Sequence, residues 1–112
     1  MCTQAMLTEI LDKIVLSSKE IFKDNLTDVI LFGSYARGDF DEESDIDILV
    51  VANMSSEKMQ NYRSELDSLC GEMLFDYGVV VSIIEKDYDT YNRYANILPF
   101  YKNIAKEGVR IA

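Results

Sequence analysis

Residues 28 to 51 read Asp28-Val29-Ile30-Leu31-Phe32-Gly33-Ser34-Tyr35-Ala36-Arg37-Gly38-Asp39-Phe40-Asp41-Glu42-Glu43-Ser44-Asp45-Ile46-Asp47-Ile48-Leu49-Val50-Val51. An apolar run ends in a Gly-Ser pair and, ten residues later, an Asp-x-Asp triplet opens a second apolar run. Short apolar runs bounded by polar residues and glycine read as buried strands. A glycine turn leaving a strand aims backbone N–H groups at phosphate oxygens, because no Cβ blocks the approach and the helix start that follows adds partial positive charge. Two carboxylates at i, i+2 on a strand share a face, which suits one divalent cation or a pair. A phosphate cradle beside a metal clamp indicates nucleotide chemistry.

Outward from this stretch, apolar residues at Ile10, Leu11, Ile14, Val15, Ile21 and Phe22, with small Ser18 among them, predict an amphipathic helix from Thr8 to Phe22 that Asp24-Asn25 breaks. Asp28 to Phe32 is the first strand. Tyr35 to Arg37 is a first helical turn ended by Gly38, and Asp39 to Ser44 is a polar loop. The second strand, Asp45 to Val51, is apolar on both faces beyond the aspartates, so it is central and only its start is open. Ser55-Ser56 caps a long helix through Met73, and Val79 to Glu85 is the third strand. Asp87 to Asn96 is helical, Pro99 opens a last helix closed by Gly108, and Val109 to Ile111 adds an edge strand. The order predicts an α/β (α+β) fold, a mixed central sheet covered mainly on one face by helices, in one domain over residues 1–112.

The 112 residues suffice for one core and not for two. No apolar run reaches the ~20 residues of a membrane span, and the N-terminus lacks a basic segment leading into an apolar one, so the expected location is the cytoplasm. With no histidine, and Cys2 and Cys70 at no metal or redox spacing, zinc is excluded and both read as free thiols, Cys70 in a helix core. A net charge of −9 argues against sequence-independent nucleic-acid binding and leaves a basic protein partner acceptable. An EF-hand loop starting at Asp39 would need glycine at Ser44 and glutamate at Val50, so calcium is rejected and Asp41, Glu42 and Glu43 read as solvated loop acids. Tyr88, Tyr91, Tyr94, Phe100 and Tyr101 offer the aromatic faces of a base-stacking platform, but at helical spacing they read rather as core or a partner-facing stripe.

Gly33-Ser34, ten residues, then Asp45-Ile46-Asp47, with Ala36-Arg37-Gly38 inside the spacer and Ser44 before the first aspartate, resembles the signature of the nucleotidyltransferase superfamily that includes DNA polymerase beta. It is most similar to the small branch called minimal nucleotidyltransferases (MNT). The closing Leu98 to Ile104 segment with Glu107-Gly108 also looks like the C-terminus of small members. The resemblance implies the superfamily's core fold and a nucleoside triphosphate substrate. It further implies transfer of an NMP unit, AMP foremost, to a hydroxyl, with Mg²⁺ (or Mn²⁺) as cofactor and a HEPN-type helical protein neutralised by this chain as antitoxin.

In-line attack on an alpha phosphate places charge on the entering and departing oxygens, which two ions ~4 Å apart stabilise. Asp45 and Asp47 are the expected catalytic metal ligands. Gly33 and Ser34 are the expected phosphate holders, with Ser44 assigned to the nucleotide site through the motif. Arg37 either neutralises phosphate or pairs with Asp39, Asp41 or Glu43. The resemblance also calls for a third acid on the later strand, and Ser82 stands at that position. Glu85 would face the opposite way on a regular strand, and Asp76 precedes Gly78, so either replaces the acid only through a bulge or a register shift. A catalytically impaired module that acts by binding alone is therefore the alternative.

Overall fold

A computed structural model describes residues 3–41 and 43–112; the readings made for Cys2 and Glu42 fall outside that range. The Thr3 hydroxyl accepts from the Met6 amide (3.1 Å) and starts α1, Gln4–Phe22, a turn earlier than the apolar spacing suggests. Lys23, at φ +52, ends α1, and a 3₁₀ turn over Lys23–Asn25 leads into β1, Leu26–Phe32. Ser34–Arg37 forms the single turn α2, and β2 runs Ile46–Ala52.

The expected long helix is two helices. α3, Ser56–Met59, is capped by the Ser55 hydroxyl (3.1 Å to the Lys58 amide), a 3₁₀ turn follows over Gln60–Tyr62, and α4 runs Arg63–Tyr77. Where the helix tightens, Tyr62 meets Phe22 edge to face (5.4 Å), and Arg63 donates to the Ile83 carbonyl (2.7 Å), the Glu85 carboxylate and Asp67 (2.6 Å). β3, Val81–Asp87, begins two residues later than the apolar run, because its pairing partner β2 begins only at Ile46. α5, Tyr88–Tyr94, is capped by Asp87, whose carboxylate accepts from the Thr90 amide (3.0 Å) and hydroxyl (2.9 Å). α6, Pro99–Glu107, carries proline at its first turn, and β4, Val109–Arg110, closes the sheet.

The sheet order is β3-β2-β1-β4, with β1 antiparallel to β2 and β4, and β2 parallel to β3. β2 is central, and all its residues but Asp47 are buried. Val29, Leu31, Ile46, Ile48, Val50, Val81 and Ile83 face α1 and α4 and make the main core. Ile30, Leu49 and Val51 face the other way, where Ile104 of α6 and Tyr91 of α5 cover them. The helical cover is therefore heavy on one face and partial on the other.

Tyr101 is buried and meets Tyr91 edge to face (6.0 Å), which makes this part of the aromatic series core; Tyr88 and Phe100 remain exposed. Cys70 is a half-buried free thiol, and burial pushes it up and away from thiolate reactivity. No helix among the described residues is long and apolar enough to cross a membrane.

Ser18 is fully buried on the core face of α1, and its hydroxyl has no hydrogen-bond partner among the described residues. An unsatisfied buried hydroxyl costs about 1–3 kcal/mol of desolvation. Ser18→Ala keeps the volume nearly unchanged and is expected to raise stability by about 1 kcal/mol, read as a Tm increase of about 4 °C in a thermal melt.

Candidate functional site

β1 and β2 pair so that Phe32 lies opposite Asp47, and the next residue, Gly33, turns the chain out of the sheet. Gly33 has φ +78 and ψ −156, a conformation open essentially to glycine alone. A Cβ at this position would overlap the Asp47 carboxylate. The absent side chain thus brings the backbone turn against the acid. The Gly33 carbonyl accepts from the Ala36 and Arg37 amides (both 3.1 Å), which starts α2 and directs its first amides outward. Tyr35 anchors that turn, buried in the main core with its ring stacked on Phe40 (4.3 Å), so the Gly-Ser turn and the acidic loop rest on one aromatic pair.

Asp47 lies within β2 and is half-buried, whereas Asp45 is exposed, one residue before the strand. Pairing starts only at Ile46, whose amide donates to the Val80 carbonyl (3.0 Å), and Gly33 has already carried β1 away from Asp45. Burial raises the Asp47 carboxyl above its ordinary value of 3.8, the nearby Asp45 charge adds to the rise, and Arg37 offsets part of it. Two acids that share a site in this way favour a cation between them.

Ser82 pairs with Asp47 across the parallel β2–β3 ladder and shares its face, as the third-position reading requires. Ser82 is exposed, so the side chain facing the aspartates from β3 is a hydroxyl. Glu85 is on the other face, held by Arg63, and no bulge or slip brings it round. Among the described residues no group of three or more His, Cys, Asp or Glu side chains is placed to hold a metal, so a cation here has two carboxylates to bind. Mg²⁺ fits such a set, because it keeps several waters and is commonly held by one or two carboxylates plus substrate phosphates.

Arg37 donates to Asp39 (3.2 Å) and lies 3.7 Å from Glu107 of α6. Ser44 is turned into its own loop, where its hydroxyl accepts from the Asp41 amide (2.9 Å) and donates to the Asp41 carboxylate (3.2 Å). Asp41, read as merely solvated, also accepts from the Glu43 amide (2.9 Å) and so builds the turn that delivers Asp45.

Beside the Gly-Ser turn is a cavity of about 250 Å³ lined by Phe32, Gly33 and Arg37 on one side and by Phe100, Asn103, Ile104 and Glu107 on the other. Sequence reasoning assigned no site role to α6. The spacing of residues 100, 103, 104 and 107 reads as an ordinary helix face; the signals of more were the base-stacking reading of Phe100 and Tyr101, set below core or a partner stripe, and the similarity of the Leu98–Gly108 segment to small family members.

The family model for the nucleotidyltransferase domain matches residues 11–111. The chain belongs to the nucleotidyltransferase domain family. A predicted protein adenylyltransferase of Methanocaldococcus jannaschii, MJ0604, is 38% identical over 90 residues, covering 80% of this chain and 82% of that protein. Among solved structures, a toxin–antitoxin crystallised with AMP-PNP superposes with a TM-score of 0.57 at 18% identity, over 91% of this chain and 72% of that one. A second, the tri-AMPylated HEPN toxin of Shewanella oneidensis in complex with its MNT antitoxin, gives 0.50 at 16% identity, over 94% of this chain and 71% of that one. At these identities the two structures establish a shared fold. The nucleotidyltransferase fold accounts for the mixed sheet with the Asp-x-Asp pair at its open end.

Two outcomes follow from the site's physics. Because the folded state raises the Asp47 carboxyl, this group stabilises the fold only while protonated, and that contribution is lost as pH rises through the folded value. Asp47→Asn in EDTA is therefore expected to melt higher than the wild type at pH 7, with the gap closing as pH falls toward 4. Gly33→Ala adds backbone strain (~1–3 kcal/mol) and overlap with Asp47 (~1–3 kcal/mol), for an expected loss of about 2–6 kcal/mol in denaturant unfolding.

Proposed function

We propose that this domain binds a nucleoside triphosphate with Mg²⁺ and transfers its nucleotidyl unit, as AMP, to a hydroxyl of a protein partner, which it thereby neutralises as an antitoxin. The observation that carries the reading is the direct packing of the Gly33 turn on Asp47, with Asp45 beside it. Phosphate-binding backbone and cation-binding acids are then one structure.

In this reading Asp45 and Asp47 hold the cation, with water and phosphate oxygens completing its shell. When bound, the ion stabilises the charge that develops on the entering and leaving oxygens. The Gly33-Ser34 amides and the Ser34 hydroxyl hold the outer phosphates, and Arg37 exchanges its exposed carboxylate partners for phosphate. The hydroxyl oxygen bonds to the alpha phosphorus, the bond to pyrophosphate breaks, and the proton leaves to solvent. Support for a protein acceptor comes from the name of the Methanocaldococcus relative. Support for a HEPN-type partner comes from the toxin–antitoxin assemblies that share the fold, and the net charge of −9 suits a basic surface on it.

A second reading, a nucleotide-binding module that neutralises its partner without turnover, is favoured by Ser82 standing in register with Asp47. A neutral hydroxyl is a weaker cation ligand than a carboxylate, and the two readings part on catalysis.

The test uses the purified chain, a HEPN-type partner, Mg²⁺ and labelled ATP. Label covalently attached to a partner hydroxyl, located by mass spectrometry and lost in Asp47→Asn, is the expected result. Ser82→Asp is expected to increase the rate and to make the Tm more Mg²⁺-dependent. Nucleotide binding without label in the wild type, with label appearing only in Ser82→Asp, would establish the binding module. No Mg²⁺-dependent triphosphate binding in any form would overturn both.

A further inference from the structure

The cavity beside the Gly-Ser turn has two unlike walls, which meet where Arg37 lies 3.7 Å from Glu107. Gly33 and Arg37 belong to one, next to the Gly-Ser turn. The other belongs to α6, where Phe100, Asn103, Ile104 and Glu107 recur at i, i+3, i+4 and i+7 and share one helix face. Phe100 meets Phe32 edge to face at 5.9 Å, and Phe32 is the cross-strand partner of Asp47, so the aromatic wall is tied directly to the acidic pair. Phe100 is 43% exposed and Asn103 is exposed, with both lining the open cavity.

A volume of about 250 Å³ is below the ~300–1,000 Å³ of pockets that enclose a whole drug-sized ligand, so it takes one portion of a nucleotide. None of the residues that α6 contributes to the lining is basic, so this wall offers a phosphate no cationic partner. An aromatic face and a primary amide suit a flat, polar-edged ring, because bases stack on aromatic side chains and are read by hydrogen bonds at their edges.

We propose that the α6 face is the nucleobase subsite, in which Phe100 stacks on the base and Asn103 reads its edge, giving preference for adenine over guanine. The inference rests on the nucleotide-binding reading above and adds the place and the residues that hold its adenine. Asn offers one donor and one acceptor side by side. Adenine presents the complementary pair at N6 and N7, whereas guanine presents two acceptors, O6 and N7, on the same edge. The polyphosphate then runs from this wall past Arg37 to the Gly33-Ser34 turn.

The experiment measures calorimetric affinities for ATP, GTP and inorganic tripolyphosphate, each with Mg²⁺, in wild type, Phe100→Ala and Asn103→Ala. The wild type is expected to prefer ATP over GTP by about tenfold or more, from ~1–3 kcal/mol of discrimination in a bidentate base contact. Asn103→Ala is expected to remove most of that preference. Phe100→Ala is expected to weaken both nucleotides by about fivefold or more, from ~1–3 kcal/mol per stacked base. Tripolyphosphate binding should be unchanged in both variants, which also shows that they fold. Wild-type tripolyphosphate binding with ATP and GTP equal, or nucleotide affinities unmoved by either substitution, overturns the subsite while leaving the phosphate turn standing. Unchanged ATP affinity in Phe100→Ala with loss of transfer to the protein partner would instead assign the cavity to the acceptor. Failure of the wild type to bind even tripolyphosphate removes the nucleotide-binding reading and the subsite with it.

Discussion

The contact between Gly33 and Asp47 is the constraint on which the rest of the site depends. It arises from the antiparallel register of β1 and β2, which sets Phe32 opposite Asp47 and leaves the following residue no room for a side chain. A slip of one residue would turn Asp47 toward α1 and α4 and put its charge in the main core, where Ile46 and Ile48 are fully buried. Register here is enforced by burial on both faces of β2. A polar residue survives only at the strand's open end, so the core itself dictates where the acid stands.

The same arrangement carries an electrostatic cost. Asp47 is half-buried, close to Asp45, and its carboxyl is raised as a result, while the nearest basic group, Arg37, is drawn toward Asp39 and Glu107. Arg37 is exposed, and such ion pairs are worth about 0–1 kcal/mol, too little to hold it against a polyphosphate. Arg37 is therefore loosely held, and in the proposed reading that leaves it free to pair with an entering metal–triphosphate complex.

Legibility in the sequence followed local rules. The faces of β2, the opposite orientation of Glu85 and the Ser55 cap came from period-2 alternation and capping chemistry, whereas the position of Ser82 came from the family resemblance; the later start of β3 leaves its faces unchanged because the residues that remain keep their alternation. What escaped was tertiary. The break at Gln60–Tyr62 has no glycine or proline to announce it, and it coincides with Tyr62 meeting Phe22 and Arg63 reaching β3, contacts that join residues about 20 to 40 positions apart. Ser44 was placed with the nucleotide because it adjoins Asp45 in the chain, yet its hydroxyl closes the loop on Asp41. The base-stacking reading of Phe100 ranked below core or a partner stripe because helical periodicity states which residues share a face and not what that face meets.

Ser82 can be weighed against this electrostatic background. A carboxylate there would put a third negative charge on the sheet face that already raises Asp47, at a position in register with it. Serine spares the metal-free fold that repulsion and leaves the cation two protein carboxylates. In the proposed reading the missing ligands must then come from water and from the triphosphate, so cation and nucleotide each raise the other's affinity, as linkage requires. A third acid would loosen that coupling by letting the cation bind alone. In that reading the serine favours a site that fills when both components are present, at the expense of a cation held by protein carboxylates alone.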